Sequence, residues 1–203
     1  MKKIILALGV SSILGYSNGC LLTQSSDLNI TWKAYKTLAK IGVGGKFTDF
    51  KYSPNSKDGK NFRELLVGST VVINKSKIDT NNIGRDKTLV DMFFNQLDGN
   101  SITGKIVDIK ADKREDKKRS YQGYIDINIT MNSQSLVIPM RYGYKDEVFT
   151  AKGVIDILDF NGDKALKSIN QSCYDLHKGK TWSDVTIGFT TNIKATLCNS
   201  KIK

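Results

Sequence analysis

The sequence predicts an all-β fold: an antiparallel β-barrel of about eight strands with two short helices. Three observations lead there. Long stretches alternate apolar and polar residues with period two, which puts one face of each strand in an apolar interior and the other in water. Only two prolines, Pro54 and Pro139, fall in the whole chain. Short polar turns join the stretches, with no internal repeat or low-complexity linker beyond residue 26. Strands that are apolar on one side close into a barrel or stack as a two-sheet sandwich, and closure removes exposed edges. At about eight strands a barrel interior either fills with side chains or holds one small ligand.

Taken in order, the chain opens with Met1-Lys2-Lys3, an apolar run from Ile4 to Leu14, and Ser17-Asn18-Gly19 before Cys20. This is the layout of an export signal, and the run is short of the ~20 residues that span a bilayer. Residues 1–19 are therefore expected to be a signal peptide, 20–27 a tether and 28–203 the folded domain. Cys20 at the cleavage site is expected to carry lipid, as in bacterial lipoproteins. Ser17 stands where such signals usually carry an aliphatic residue, and cleavage leaving a free thiol is the other reading.

Within the domain, Leu28, Ile30, Trp32 and Ala34 alternate over 28–37. A bend at Gly42-Val43-Gly44-Gly45 leads into a strand over 43–52 with Phe47, Phe50 and Tyr52. Residues 65–75 and 101–110 supply Val67, Val71, Ile73, Ile102 and Ile106. Leu89, Val90, Phe93 and Phe94 have helical spacing over 86–94. The clearest strand is 121–131, with Ile125, Ile127, Ile129 and Met131 on one face. A polar turn at Asn132-Ser133-Gln134 makes a hairpin with 136–145. Strand 148–158 follows. Residues 163–177 put Leu166, Ile169, Cys173 and Leu176 on one helix face, with Gly179 as the stop. The last strand, 185–197, carries the longest alternation.

Charge and cysteines bound the function. There are 31 Lys and Arg against 20 Asp and Glu, a formal net charge of +11, which favours anionic partners. Export removes nucleic acid from that set, and the basic run between Lys113 and Arg119 reads as a solvated face. Outside the cytoplasm Cys173 and Cys198 are free to pair; two buried thiols are the alternative. A lone histidine, His177, excludes a three-histidine metal site and reads as a cation at a helix end. No serine stands in a glycine elbow, and Gly42 to Gly45 lack the Lys-Ser/Thr of a phosphate loop. No catalysis, metal or cofactor is expected.

The order of motifs carries a resemblance. Ser76-Lys77-Ile78-Asp79-Thr80-Asn81-Asn82-Ile83-Gly84-Arg85-Asp86, followed by Leu89 and Phe93-Phe94, resembles the signature of the YceI-like family. Gly44-Gly45-Lys46-Phe47-Thr48-Asp49-Phe50 and the Gly153 to Phe160 stretch are similar to that family's flanking segments, so the likeness covers most of residues 28–160. It implies a lipocalin-like barrel in the periplasm that holds a polyisoprenoid or similar long amphiphile. Two departures bear on the ligand: Leu97-Asp98-Gly99 replaces the usual tyrosine-proline pair, and Lys36 to Lys40 stand where a histidine is common.

On this reading Phe47, Phe50, Phe93, Phe94, Tyr142, Tyr144 and Phe149 lie along the pocket, unless they simply fill the core. Asn82 and Arg85 either touch the ligand's headgroup or lock their own loop, since Asp79 to Asn82 are turn and cap formers. The expected function is an exported lipid carrier, with a solidly packed interaction module of basic exterior as the alternative.

Overall fold

The computed structural model describes residues 21–24, 28–113 and 121–196. Cys20, Cys198 and the basic run from Arg114 lie outside the described residues. In chain order the elements are β1 (Leu21–Gln24), β2 (Asn29–Lys36), β3 (Ile41–Phe47), β4 (Phe50–Ser53), β5 (Asp58–Gly59), α1 (Phe62–Leu66), β6 (Thr70–Asn74) and β7 (Ile78–Asp79). Then come α2 (Ile83–Met92), β8 (Ser101–Ala111), β9 (Gln122–Met131), β10 (Gln134–Lys145), β11 (Val148–Asp156), α3 (Asp163–Ser172), α4 (Tyr174–His177) and β12 (Asp184–Thr196).

β3 and β4 are halves of one bent strand, and so are β6 and β7. With that joining, each long strand pairs antiparallel with its neighbours in sequence. β12 then returns to β2, with Ile187 opposite Trp32. The result is an up-and-down barrel in which ten of the twelve described strands make eight courses, the barrel rather than the sandwich of the two arrangements that the alternation allows. β1 adds a short outer pairing along the end of β12, and β5 pairs with β1. The register slips where the bent strands cross: Phe47 faces Ile78, whereas Phe50 faces Ile73.

Local chemistry accounts for the turns. Asn132 and Ser133 both have positive φ, 50° and 62°, and form a two-residue hairpin loop of the kind that matches strand twist. Asp146 and Glu147 repeat it between β10 and β11, at 52° and 63°.

Several expected boundaries move. Residues 65–75 do not form one strand. The Asn61 side chain accepts from Glu64 N, and the Glu64 carboxylate accepts from Lys60 N and Asn61 Nδ2. That capping box starts α1, so Leu65 and Leu66 are helical and completely buried. The expected bend at Gly42–Gly45 is the inside of β3. Glycine is needed there because a Cβ on Gly45 would lie 2.5 Å from Trp32 Cζ2. β11 stops at Asp156, whose carboxylate accepts from Leu158 N at 2.9 Å and starts a 3₁₀ turn. The expected helix over 163–177 breaks at Cys173 into α3 and α4. The helix expected from Asp86 begins three residues earlier, because Asn82 caps it through Arg85 N.

The interior has two halves. At one end α1 plugs the barrel, and Phe62 packs edge-on against Tyr142, Tyr144 and Phe149. Leu65, Leu66, Ile125, Met140, Phe149, Ala151 and Ile193 are fully buried and close this end. Each large apolar side chain buried there contributes roughly 1.5–3 kcal/mol. At the other end α2, α3 and α4 lean on the barrel over a second cluster around Ile73, Phe94, Ile102, Met131, Ile155 and Phe160. There the packing is incomplete.

Candidate functional site

Between the open half of the barrel and these helices lies a cavity of about 500 Å³, inside the size range of small-ligand pockets. One wall is the inward stripe of β2, where period two places Ile30, Trp32, Ala34 and Lys36 in succession. Ile129 and Met131 of β9, Ile155 of β11 and Val185 and Ile187 of β12 continue the wall. Leu166 and Ile169 of α3, Cys173 at the break and Leu176 of α4 line it with the face their spacing predicts. Deeper in the barrel a second cavity of about 100 Å³ shares Ile30, Ile73, Ile102, Ile129 and Ile187 with the first. Five isoleucines thus border both spaces. The lower one reaches Leu66 of the plug.

Apolar side chains dominate the lining, and its ionisable groups are cationic or neutral. Lys36, Arg85 and His177 line the cavity and no carboxylate does. Lys36 ends the inward stripe of β2, half-buried, and makes no ion pair among the described residues. His177 Nδ1 lies 2.6 Å from Thr181 Oγ1, which donates to Asn170 Oδ1 at 2.8 Å. With the hydroxyl proton committed to Asn170, Nδ1–H is the donor to Thr181, and in the neutral ring Nε2 then carries no proton. Desolvation pushes the His177 pKa down, and the nearby Lys36 ammonium adds to it. The histidine expected as a cation at a helix end is therefore held toward its neutral form. Burial raises the Cys173 thiol, with Lys36 opposing, so this cysteine is not an activated nucleophile. Trp32 Nε1, in the same wall, is buried without a hydrogen-bond partner.

The segment from Asp79 to Asp86 forms the lip beside α2. Asp86 accepts from both Thr80 N and Thr80 Oγ1. Arg85 Nε donates to Thr80 Oγ1 at 2.9 Å, and its Nη2 donates to the Thr80 carbonyl at 2.6 Å. Asp79 accepts from Asn81 N and pairs with Lys46, and these contacts draw its pKa below the ordinary range. Asn82 and Arg85 thus hold the loop while also lining the cavity.

The structure separates the aromatic residues expected along a pocket. Phe47, Phe93 and Phe94 line the cavity, with Phe94 edge-on to both others at 5.9 and 5.2 Å. Phe50 packs against the cluster beneath without reaching the lining. Tyr142, Tyr144 and Phe149 stand in the closed half. Tyr142 stacks on Phe149 at 5.1 Å, and Tyr144 Oη donates to the Ile193 carbonyl at 2.7 Å. Cys173 opens on the cavity, while its expected partner Cys198 lies outside the described residues. Sequence reasoning missed Lys36, Thr181 and Trp182 as lining residues. Extending the β2 alternation by one step would have found Lys36. Among the described residues no group of three or more His, Cys, Asp or Glu could hold a metal ion.

Comparison with known proteins adds the following. The family model described as YceI-like domain matches residues 21–195. Among solved structures, a polyisoprenoid binding domain from Saccharophagus degradans is 11% identical with a TM-score of 0.54, covering 87% of this chain and 98% of that one. BcnA from Burkholderia cenocepacia is 12% identical with a TM-score of 0.52, covering 82% and 96%. A mutant CJ YceI protein with a monobromobimane guest is 16% identical with a TM-score of 0.52, covering 96% and 98%. At these identities the likeness shows the fold. No curated protein matches the chain.

Proposed function

The chain belongs to the YceI-like family, and on that footing we propose that it is an exported lipid carrier. It holds the apolar chain of a long amphiphile, such as a polyisoprenoid, in the open half of the barrel and performs no catalysis. One observation carries the reading: the cavity is apolar in depth, with its ionisable groups at the mouth. Such a site binds by desolvation, at about 0.8 kcal/mol per buried methylene before ordering costs. The solved relative from Saccharophagus degradans is described as a polyisoprenoid binding domain, which agrees with this ligand class. A lining without carboxylates suits an uncharged or anionic headgroup near Lys36 and His177. The alternative, a solidly packed interaction module, gives a cavity of about 500 Å³ no role.

On this proposal residues 1–19 direct export to the periplasm and Cys20 carries an acyl anchor. Native mass spectrometry after detergent-free purification is the test. Wild type should carry a hydrophobic ligand, and Ala34→Trp, which projects an indole into the cavity, should arrive empty with its fold intact. A wild type without ligand and without saturable binding of long-chain isoprenoids would remove the carrier reading.

A further inference from the structure

We propose that the rim around the cavity mouth is a docking surface for an anionic lipid bilayer, through which the cavity loads and unloads. The proposal rests on the carrier reading for what passes through, but its own observations lie on the outside of the molecule.

Large apolar side chains stand out from this rim. Leu38 is 82% exposed at the tip of the loop between β2 and β3, Leu176 is 70% and Tyr174 61% exposed on α4, and Ile83 is 89% exposed at the start of α2. Singly exposed apolar residues are ordinary on a protein surface. These four sit on the segments that frame an apolar cavity, and Leu176 itself lines it. The Leu38 loop is also held firm. Thr37 N donates to the Lys180 carbonyl at 2.9 Å, and Trp182 Nε1 donates to the Thr37 carbonyl at 2.7 Å.

Cations accompany the apolar tips. Lys40 lies over the rings of Tyr35 and Trp182, at 5.3 and 4.8 Å, and Lys180 covers Trp182 at 4.7 Å. Lys36 and Lys178 stand on the same lip, and Arg85 on the opposite one. The acids there are mostly engaged: Asp184 is paired with Lys40 at 2.8 Å, Asp79 with Lys46 at 3.2 Å, Asp86 accepts from Thr80, and Asp175 lies on α4. Exposed leucines and an aromatic amid lysines are what an anionic interface attracts, the apolar tips entering the acyl boundary and the lysines meeting headgroups. The opposite pole, where Tyr121 and Val148 are also exposed, is closed: α1 plugs the barrel there and β1 begins beside Thr196.

Vesicle co-sedimentation of the full exported protein tests this, in a Cys20→Ala background so that no acyl chain takes part. Binding to vesicles of phosphatidylcholine with phosphatidylglycerol should exceed binding to phosphatidylcholine alone by about tenfold and fall with salt. Leu38→Asp combined with Lys178→Glu, both at exposed positions, should erase the difference while keeping the wild-type melting temperature and co-purified ligand. Ala34→Trp should lose the ligand and keep the vesicle binding, so a failed carrier reading and a failed docking reading give different results. Equal binding to neutral and anionic vesicles, or an unaffected rim double variant, overturns the proposal. So does a concentration-dependent dimer that Leu38→Asp abolishes, which would give the rim to a second copy of the chain.

Discussion

Lys36 and His177 face the same cavity, and the lysine sets conditions for the histidine. Burial and the Lys36 charge hold the His177 pKa below its ordinary value. The unfolded chain, with an ordinary histidine near 6.5, therefore takes up protons first as the pH falls. The stability linked to His177 is present above that value and is lost as the pH drops through it toward the lower folded pKa. Thermal unfolding between pH 7.5 and 5 should show this slope, and His177→Gln should flatten it. An anionic headgroup beside Lys36 would cancel part of the repulsion, so ligand binding should raise the His177 pKa in an NMR titration. Ala151 makes a contrasting case. It is fully buried in the plugged half, so a tryptophan there would overpack by about 1–3 kcal/mol and say little about the cavity. Lys75, buried, donates to the Leu97 carbonyl. Lys75→Ala should cost about 1–3 kcal/mol in denaturant unfolding, because that carbonyl then lacks its partner.

At the level of elements, two short motifs decide how the barrel ends are dressed. The plug depends on the Asn61 cap. Asn61→Ala should destabilise by about 1 kcal/mol, measured from the urea midpoint at constant slope. α2 depends on Thr80, whose hydroxyl donates to Asp86 and accepts from Arg85. Thr80→Val removes both bonds and should speed amide exchange in the first turn of α2 while leaving the exchange of β9 and β10 unchanged. The proposed Cys173–Cys198 bridge has a demanding geometry. Cys173 is at the mouth, whereas β12 ends at Thr196 beside the plug, and bridged Cα atoms lie within about 7 Å of each other. A non-reducing peptide map of protein from its native compartment decides it: both thiols found free removes the bridge.

For the whole molecule, stability and room to bind are divided between the two ends of one barrel. Ile127 and Phe189 belong to the plugged half, where both also border the smaller cavity. Aspartate at either position leaves a buried charge without a partner, and the melting temperature should fall by an amount reflecting about 3–5 kcal/mol. The open half is under-packed, so a ligand that fills it stabilises the native state by mass action. Stripping co-purified lipid should lower the melting temperature of wild type and leave that of Ala34→Trp unchanged.

Period-two alternation is a local property, and it was enough to predict antiparallel strands, their inward faces and the hairpins, with the barrel preferred to a sandwich because closure removes edges. The order of motifs from Ser76 to Phe94 was enough to point to the family. The polar turn and cap residues also made a locking role for Asn82 and Arg85 legible. What stayed hidden depends on height along the barrel axis. Phe47 and Phe149 both point inward, yet one lines the cavity and the other is packed solid, because register and the position of the plug set how high each stands. The plug was itself masked, since Leu65-Leu66-Val67 reads as the start of a strand unless the cap at Asn61 is noticed. Lys36 and the rim belong to the same class. Alternation says only that a side chain points inward or outward. Which inward residue meets a void, and which outward ones gather around its mouth, is decided where strands and helices distant in sequence are brought together.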